Sequence, residues 1–323
     1  MNKLCEKLNI EVPIFCGAMY PCSNPELVAA ASEAGAIGIV QPLSLTYVHG
    51  YKFREGLRYI RTLTQKPIGV NLLIENSSEI YIQRMKNFME ISREEGVRFF
   101  ITALGNPKWF VEKIHAQGGL VFHDVTERKW ALVAQKADVD GLICVNSLAG
   151  GHSGTLLPQE LYNECKDLGL PLVCAGGVGD EKKFKYMLDI GYEAVQMGTR
   201  FLATEECKVA PEYKNAIVNA HASDIVHTEK LTGVPIAVIN NEYVKRIGQH
   251  ASTLSKFLLK NNRTKHWIRM FYSLISLRGL KLNIKSAKGR DYYWQAGKSV
   301  EGIHKIERVA DIIQKFKSEL KKT

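Results

Sequence analysis

Residues 149–154 read Ala-Gly-Gly-His-Ser-Gly, and two further glycine phrases follow along the chain. These phrases are Ala175-Gly176-Gly177-Val178-Gly179 and Gln196-Met197-Gly198-Thr199-Arg200-Phe201. Each of the three stands at the end of a short apolar run. Apolar runs that end in glycine turns are typical of buried parallel strands that lead into helices. The phrases therefore predict three successive strand-to-helix turns, and the first of them carries a lone histidine, His152.

The same rhythm extends over the first 205 residues, where short apolar runs alternate with amphipathic helical patterns. The predicted strands are residues 13–19, 36–41, 67–74, 98–104, 120–125, 141–146, 171–175 and 194–197. The predicted helices between them include residues 24–34, 79–95, 107–116 and 181–189, and glycines suited to a left-handed cap follow several helices: Gly35, Gly96, Gly118, Gly169 and Gly191. Eight such units predict a (β/α)₈ TIM barrel, with a doubly wound open sheet as the alternative.

Composition excludes several classes of protein. Hydrophobic residues make up 46% of the 323 residues, yet no apolar run reaches the ~18 residues of a membrane-spanning helix. The first residues lack the basic start and apolar stretch of a signal peptide, so a cytoplasmic protein without an integral membrane segment is expected. The seven cysteines form no CxxC pair, and no HxH or HExxH spacing occurs, so neither a disulfide framework nor a metal site is expected.

Positive charge is concentrated near the carboxyl end of the sequence. Residues 245–323 carry 19 Lys and Arg against 5 Asp and Glu, and residues 251–290 carry ten basic residues and no acidic one. Extended segments are predicted at 224–230 and 235–240, a helix at 251–278, an irregular basic loop at 279–295 and a final helix at 300–320. We therefore predict a barrel over 1–222, a basic lid over 223–299 and a C-terminal helix over 300–323 that packs back on the barrel.

A barrel of this kind has its active site at the carboxyl ends of the strands. Polar and glycine residues collect there: Gly17, Ala18, Met19, Asn71, His123, Asp124, residues 146–154, Gly176, Gly177, Gly198 and Thr199. The turns after strands 7 and 8 are the usual phosphate site, because glycines let backbone N–H groups approach the phosphate. Gly176, Gly177, Gly198 and Thr199 are thus predicted to bind a phosphate, although ordinary tight turns remain the alternative.

His152 lies among glycines that offer little side-chain packing, so its imidazole is predicted to face the cavity. An imidazole can take or give a proton near neutral pH, which suits a catalytic or substrate-contacting role. A histidine that only braces the loop is the alternative. His123 is a weaker candidate for a direct chemical role. Its neighbour Asp124 could be the residue of this pair that faces outward. The other histidines form no constellation and are expected to be structural or exposed.

Several phrases together resemble the nitronate monooxygenase (2-nitropropane dioxygenase-like) family of FMN-binding TIM barrels, which also contains the FMN-dependent enoyl-ACP reductase II. The matching phrases are Pro13-Ile14-Phe15-Cys16-Gly17-Ala18-Met19, Gly69-Val70-Asn71-Leu72 and the three glycine phrases. Weaker matches follow at Thr232-Gly233-Val234-Pro235 and Ala296-Gly297-Lys298-Ser299. Cys16 and Lys298 stand where members of the family often have glutamine, and an arginine common after the Gly-x-Pro phrase is missing. These departures affect the substrate pocket more than the flavin site.

The resemblance implies FMN as the cofactor and His152 as the catalytic base or the residue that lines the substrate side. Gly17, Ala18 and Met19 would contact the isoalloxazine, and Asn71 would hydrogen-bond it. Gly176, Gly177, Gly198 and Thr199 would bind the phosphate. The other cofactor-binding residues would be Gly151, Ala175, Gln196 and Met197.

Two enzymatic functions follow as hypotheses. The first is a nitronate monooxygenase that oxidises alkyl nitronates or nitroalkanes with O₂. The alternative is NAD(P)H-dependent enoyl-ACP reduction, in which the basic lid would attract an acidic acyl carrier protein. The lid could instead be a solvated basic face or a membrane-surface helix. A homodimer is compatible with the sequence. A non-enzymatic binding module is disfavoured, because the glycine turns would then have no purpose. Nucleic-acid binding is supported only by the positive charge.

Overall fold

The computed structural model describes residues 2–74, 79–231, 233–250 and 292–321, and its central feature is a closed parallel barrel. The strands are β1 (Ile14–Cys16), β2 (Ile37–Val40), β3 (Ile68–Leu73), β4 (Phe99–Ala103), β5 (Leu120–Val125), β6 (Gly141–Val145), β7 (Leu172–Ala175) and β8 (Ala194–Met197). They pair in chain order, and β8 pairs with β1. All eight predicted strands and the barrel are confirmed, and the open sheet is wrong.

Helices connect the strands and cover the barrel. They are α1 (Lys3–Leu8), α2 (Pro25–Glu33), α3 (Phe53–Leu63), α4 (Glu79–Glu94), α5 (Lys108–His115), α6 (Arg128–Lys136), α7 (Pro158–Cys165), α8 (Glu181–Ile190), α9 (Thr199–Leu202), α10 (Pro211–Asn219), α11 (Glu242–Ile247) and α12 (Val309–Leu320). The five glycines predicted to end helices all have positive φ. At Gly169 the left-handed conformation follows a short 3₁₀ turn, Lys166–Leu168.

The strands carry two apolar layers because successive side chains alternate between the inside and the outside of the barrel. Inside, the rings of Phe15, Phe99 and Phe122 contact one another at centroid distances of 5.3 to 6.2 Å. Leu4 and Leu8 of α1 join this interior cluster and close the amino-terminal end of the barrel. The interior is therefore a packed core, and the open end is the carboxyl edge.

Two short strands follow the barrel, β9 (Ile225–Thr228) and β10 (Ile236–Ile239), and they pair antiparallel. They lie within the extended segments predicted at 224–230 and 235–240. The predicted helix at 251–278 and most of the predicted loop at 279–295 lie outside the described residues. In the part of the chain that is described, no helix combines the length and apolar character needed to cross a bilayer.

The predicted helix at 300–320 is wrong over its first turns. Residues Lys298–Gly302 form a 3₁₀ turn, and the α-helix begins only at Val309. Between the two, the buried Arg200 donates to the carbonyl of Lys305 at 3.0 Å, and Glu307 forms a β-bridge with Thr204. These tertiary contacts hold the chain extended where sequence periodicity alone favours a helix.

Helix α12 packs back on the barrel between α2 and α8. Its buried residues are Val309, Ile312, Ile313 and Phe316. The ring of Phe316 meets Phe184 of α8 edge to face, with the centroids 5.2 Å apart. Aromatic pairs of this geometry add to the free energy already gained from burial.

Replacing Phe316 with alanine is expected to lower the free energy of unfolding by about 3 to 5 kcal/mol, because it removes a buried ring and leaves a cavity. Urea unfolding measures the loss. Phe316→Leu should retain most of the stability. Lys317→Ala, which breaks only the exposed pair with Glu11, should cost less than about 1 kcal/mol. Equal stability of Phe316→Ala and the wild type would contradict this packing.

Candidate active site at the carboxyl edge of the barrel

The loop after β6 is locked to the loop after β7 by Asn146, which is fully buried. Its Oδ1 accepts a hydrogen bond from the amide of Leu148 at 2.9 Å, and its Nδ2 donates to the carbonyl of Gly176 at 3.1 Å. A Cβ on Gly176 would lie 2.6 Å from both Asn146 Oδ1 and the amide nitrogen of Ala149. Gly176 also has φ +117°, so this position accepts only glycine without strain.

Four backbone N–H groups beside this lock have no acceptor among the described residues. They belong to Gly176, Gly177, Gly198 and Thr199. Unpaired backbone donors in ordered, partly buried turns are rare in folded proteins. The two turns predicted to bind a phosphate therefore lie on neighbouring strands and offer free donors, which is what an anion requires.

The loop that carries His152 is held from the opposite side by β10. The amide of Gly151 donates to the carbonyl of Ala237 at 3.3 Å, and the amide of Ala237 donates back at 2.8 Å. Ser153 Oγ lies 2.9 Å from Nε2 of His227 on β9, which gives that histidine a bracing role in the loop. The glycine-rich turn is thus fixed by backbone pairing, which its sequence does not reveal.

His152 itself has no hydrogen-bond partner within the described ranges, and its side chain keeps an exposed surface. Protein packed around the loop nevertheless desolvates the imidazole and lowers its pKa below 6.5. At neutral pH the ring is therefore uncharged, with a nitrogen able to accept a proton. The geometry fits a base better than a histidine that braces the loop, since Ser153 and His227 supply the bracing.

A segment near the carboxyl end of the sequence completes the mouth of the barrel. The amide of Gly297 donates to Oγ1 of Thr199 at 3.0 Å, and the amide of Lys298 donates to the carbonyl of Leu148 at 2.9 Å. A Cβ on Gly150 would come within 2.8 Å of the Gly297 nitrogen. The weak match at 296–299 thus seats the loops after β6 and β8, a role that the sequence does not signal.

The predicted flavin-contacting residues Gly17, Ala18 and Met19 follow β1, which pairs with β8, so they lie beside the turn after β8. The amide of Gly17 donates to the carbonyl of Met197 at 3.0 Å, and a Cβ on Gly17 would lie 2.9 Å from Cγ of Gln196. Gln196 Oε1 is buried with no hydrogen-bond partner in the described structure. Met19 is the side chain nearest to Gly198, since a Cβ there would lie 3.3 Å from its Sδ. The side chain of Gln196 therefore lies against Gly17 and carries a buried acceptor that is not hydrogen-bonded.

The other predicted cofactor residues also lie at the carboxyl edge of the barrel, but their side chains have different surroundings. Asn71 is half-buried and donates weakly, at 3.4 Å, to the carbonyl of Ile101. Ala18 and Ala175 contact the interior cluster of the barrel. The side chain of Met197 packs instead in the outer layer, so that only its backbone reaches the mouth.

The suggestion that Asp124 faces out of the barrel is wrong. Phe122 belongs to the interior cluster, while Val121 and Val125 belong to the outer one, so alternation places Asp124 inside and His123 outside. The hydroxyl of Thr102 donates to the carbonyl of Phe122 and lies 2.8 Å from Nδ1 of His123. Burial lowers the pKa of His123 to about 4. His123 is therefore a neutral structural residue and has no access to the mouth.

Asp124 was expected at this edge, but its position inside the barrel was not predicted. Its Oδ1 is buried and has no hydrogen-bond partner among the residues described, and burial raises the pKa of the carboxyl group to about 7. Because β5 is apolar on both faces, no local pattern in the sequence shows which way Asp124 points. No cluster of three or more metal-binding side chains occurs in the described ranges, and all seven cysteines are buried free thiols.

Comparisons with known proteins agree with this geometry. A family model described as nitronate monooxygenase matches residues 1–319. A probable nitronate monooxygenase of Staphylococcus saprophyticus is 26% identical over 304 residues, which cover 80% of this chain and 83% of that protein. The solved structure of FabK from Thermotoga maritima superposes with a TM-score of 0.82 at 27% identity and covers 100% of this chain and 96% of its own.

A nitroalkane oxidase from Streptomyces ansochromogenes superposes with a TM-score of 0.76 at 19% identity. This structure covers 99% of the present chain and 98% of its own, and it supports the shared fold. The resemblance inferred from the motifs is thus confirmed by the family model over nearly the whole sequence.

His123→Gln is expected to change how stability depends on pH. The native state resists protonation of His123 until about pH 4, whereas the unfolded chain binds the proton below about pH 6.5. Stability supplied by the neutral ring is therefore present above pH 6.5 and is lost as the pH falls toward 4. Between pH 7 and 4.5 the difference in unfolding free energy between wild type and variant should shrink by about 2 to 3 kcal/mol.

Urea unfolding at both pH values measures this change, and comparison with the variant cancels the titration of all other groups. A constant difference between the two proteins across this pH range would show that His123 is not desolvated as the structure places it.

Proposed function

Because the chain belongs to the nitronate monooxygenase family and is therefore an oxidoreductase, we propose that it is an FMN-dependent nitronate monooxygenase. Its substrates would be alkyl nitronates and nitroalkanes, with O₂ as the electron acceptor. One observation carries the proposal: four backbone amides without an acceptor lie on one side of the mouth, and His152, which has no hydrogen-bond partner in the described structure, lies on the same side. The division into a barrel, a lid at 223–299 and a C-terminal helix is part of the same proposal.

The residues of the mouth fit FMN. Gly176, Gly177, Gly198 and Thr199 would hold the phosphate through their free N–H groups, as glycine turns of barrels do. Gly17, Ala18, Met19, Asn71, Gly151, Ala175, Gln196 and the backbone of Met197 would surround the rest of the cofactor. Bound FMN supplies the redox chemistry, accepting electrons from the substrate and passing them to oxygen.

The protein's own chemical contribution is the transfer of a proton at His152. The carbon next to a nitro group is acidic, and removal of its proton gives the nitronate. A neutral imidazole is ready to accept that proton, and the lowered pKa keeps His152 neutral at physiological pH. Backbone pairing of Gly151 with Ala237 holds the loop still, so that the ring is positioned before the substrate arrives.

Enoyl-ACP reduction is the second candidate. The likeness to FabK at 27% identity over the full chain supports it. The ten basic residues of 251–290, which lie outside the described structure, would attract an acidic acyl carrier protein through long-range electrostatics. NADH oxidation that requires enoyl-ACP would favour this candidate, whereas oxygen uptake with alkyl nitronates in the absence of NADH favours the monooxygenase.

Gly176→Ala is expected to weaken FMN by about tenfold or more and riboflavin much less, since the added Cβ shifts the amides that face the phosphate. Fluorescence titration of the apoprotein with both ligands measures the difference. Gly118→Ala is the matched control: it also carries a positive φ, at +68°, but its Cβ would meet nothing within 4 Å. Equal loss of FMN and riboflavin affinity in Gly176→Ala would place the phosphate elsewhere.

His152→Ala is expected to keep bound FMN but to lose about 10²- to 10⁴-fold in turnover of neutral nitroalkanes, the usual contribution of a general base. Nitronates prepared in advance have already lost the proton, so turnover of these substrates should fall by much less. Oxygen-uptake assays with the two substrate forms make the comparison. The base assignment fails if both substrates are affected equally.

A further inference from the structure

The carboxyl group of Asp124 is an unused polar group at the open end of the barrel. It lies on the interior face of β5, two residues after Phe122, and Phe122 belongs to the packed core. Oδ1 is buried, and neither carboxyl oxygen has a hydrogen-bond partner in the ranges that the structure covers. A buried acceptor without a partner costs free energy, so a group retained in this state is expected to meet a ligand.

Within the described part of the chain, the strands on either side of Asp124 carry no cation that could pair with it. Strand β4 contributes no titratable side chain, β5 contributes His123, and β6 contributes Cys144. His123 is turned to the outer face and is neutral. Cys144 belongs to the outer cluster, where a hydrogen bond with Cys165 and then burial raise the pKa of its thiol. Desolvation by burial raises the pKa of the Asp124 carboxyl group to about 7.

A second unsatisfied atom, Oε1 of Gln196, is buried on the interior side of β8. Gln196 can only accept at that oxygen, whereas a protonated carboxyl group can donate. The pyrimidine edge of an isoalloxazine alternates acceptors with one N–H donor. A donor and an acceptor that both lack partners therefore match the two kinds of group along that edge.

We propose that Asp124 is a further cofactor-binding residue, whose carboxyl group donates a hydrogen bond, as a neutral acid, to an acceptor on the pyrimidine edge of the flavin. This inference rests on the proposed FMN dependence. An ionised Asp124 would present only acceptors to an acceptor and would repel it. Flavin affinity of the wild type thus falls as the pH rises through the range in which Asp124 loses its proton.

The test compares wild type, Asp124→Asn and Asp124→Ala by titrating apoprotein with FMN at pH 6 and pH 8.5. Asparagine keeps a donor of the same shape without a charge, so its Kd at pH 6 stays within about threefold of the wild type. Alanine loses the hydrogen bond and weakens FMN by about tenfold or more. Between pH 6 and 8.5 the wild type weakens by about tenfold or more relative to Asp124→Asn, whose own change accounts for titration of the phosphate.

The visible spectrum of bound FMN is a second readout. Its absorption maximum shifts between the two pH values in the wild type and stays constant in Asp124→Asn. Wild-type affinity that rises with pH, or that changes in parallel with the asparagine variant, overturns the neutral donor. FMN bound equally by all three proteins overturns the contact but leaves the proposed function standing, whereas a wild type that binds no FMN overturns both.

Discussion

Gly150 and Gly297 approach each other so closely that a Cβ on either would collide with the backbone of the other, at 2.8 Å and 2.6 Å from the facing nitrogen. This contact joins the loop after β6 to a segment almost 150 residues further along the chain. From Gly297 the connection continues to Thr199 after β8, and from the β6 loop it continues through Asn146 to the turn after β7. The loops after β6, β7 and β8 are therefore linked to one another and to the segment around Gly297.

Among the residues that the structure describes, those at the mouth offer many hydrogen-bonding groups and few full charges. Free amides occupy the side of β7 and β8, and Asn71, Asp124 and Gln196 line or approach the interior. Desolvation lowers the pKa of His152 and raises that of Asp124, so it favours the neutral form of each group. A neutral imidazole in such a site can accept a proton, and the amides that face the mouth can receive negative charge.

Much of the fold could be predicted from the sequence because its signals are local. Short apolar runs and the glycines that end them depend on neighbouring residues, and these gave all eight strands and the turns after β7 and β8. The facing of His123 and Asp124 could not be settled in the same way, since parallel strands covered on both sides read as apolar throughout and hide their alternation. The late start of α12 and the bracing of the His152 loop both arise from residues distant in sequence, which no local pattern records.

The docking of residues 295–299 on the loops after β6 and β8 has a consequence for how the protein matures in the cell. Strands β1 to β8 are all synthesised well before Gly297, so the sheet can close while the loops at its mouth still lack the segment that seats them. Only when the last part of the sequence has emerged can Thr199 and Leu148 find their partners. A ligand that needs these loops in place can therefore bind only after Gly297 has been synthesised, so the order of synthesis separates closure of the sheet from completion of the mouth.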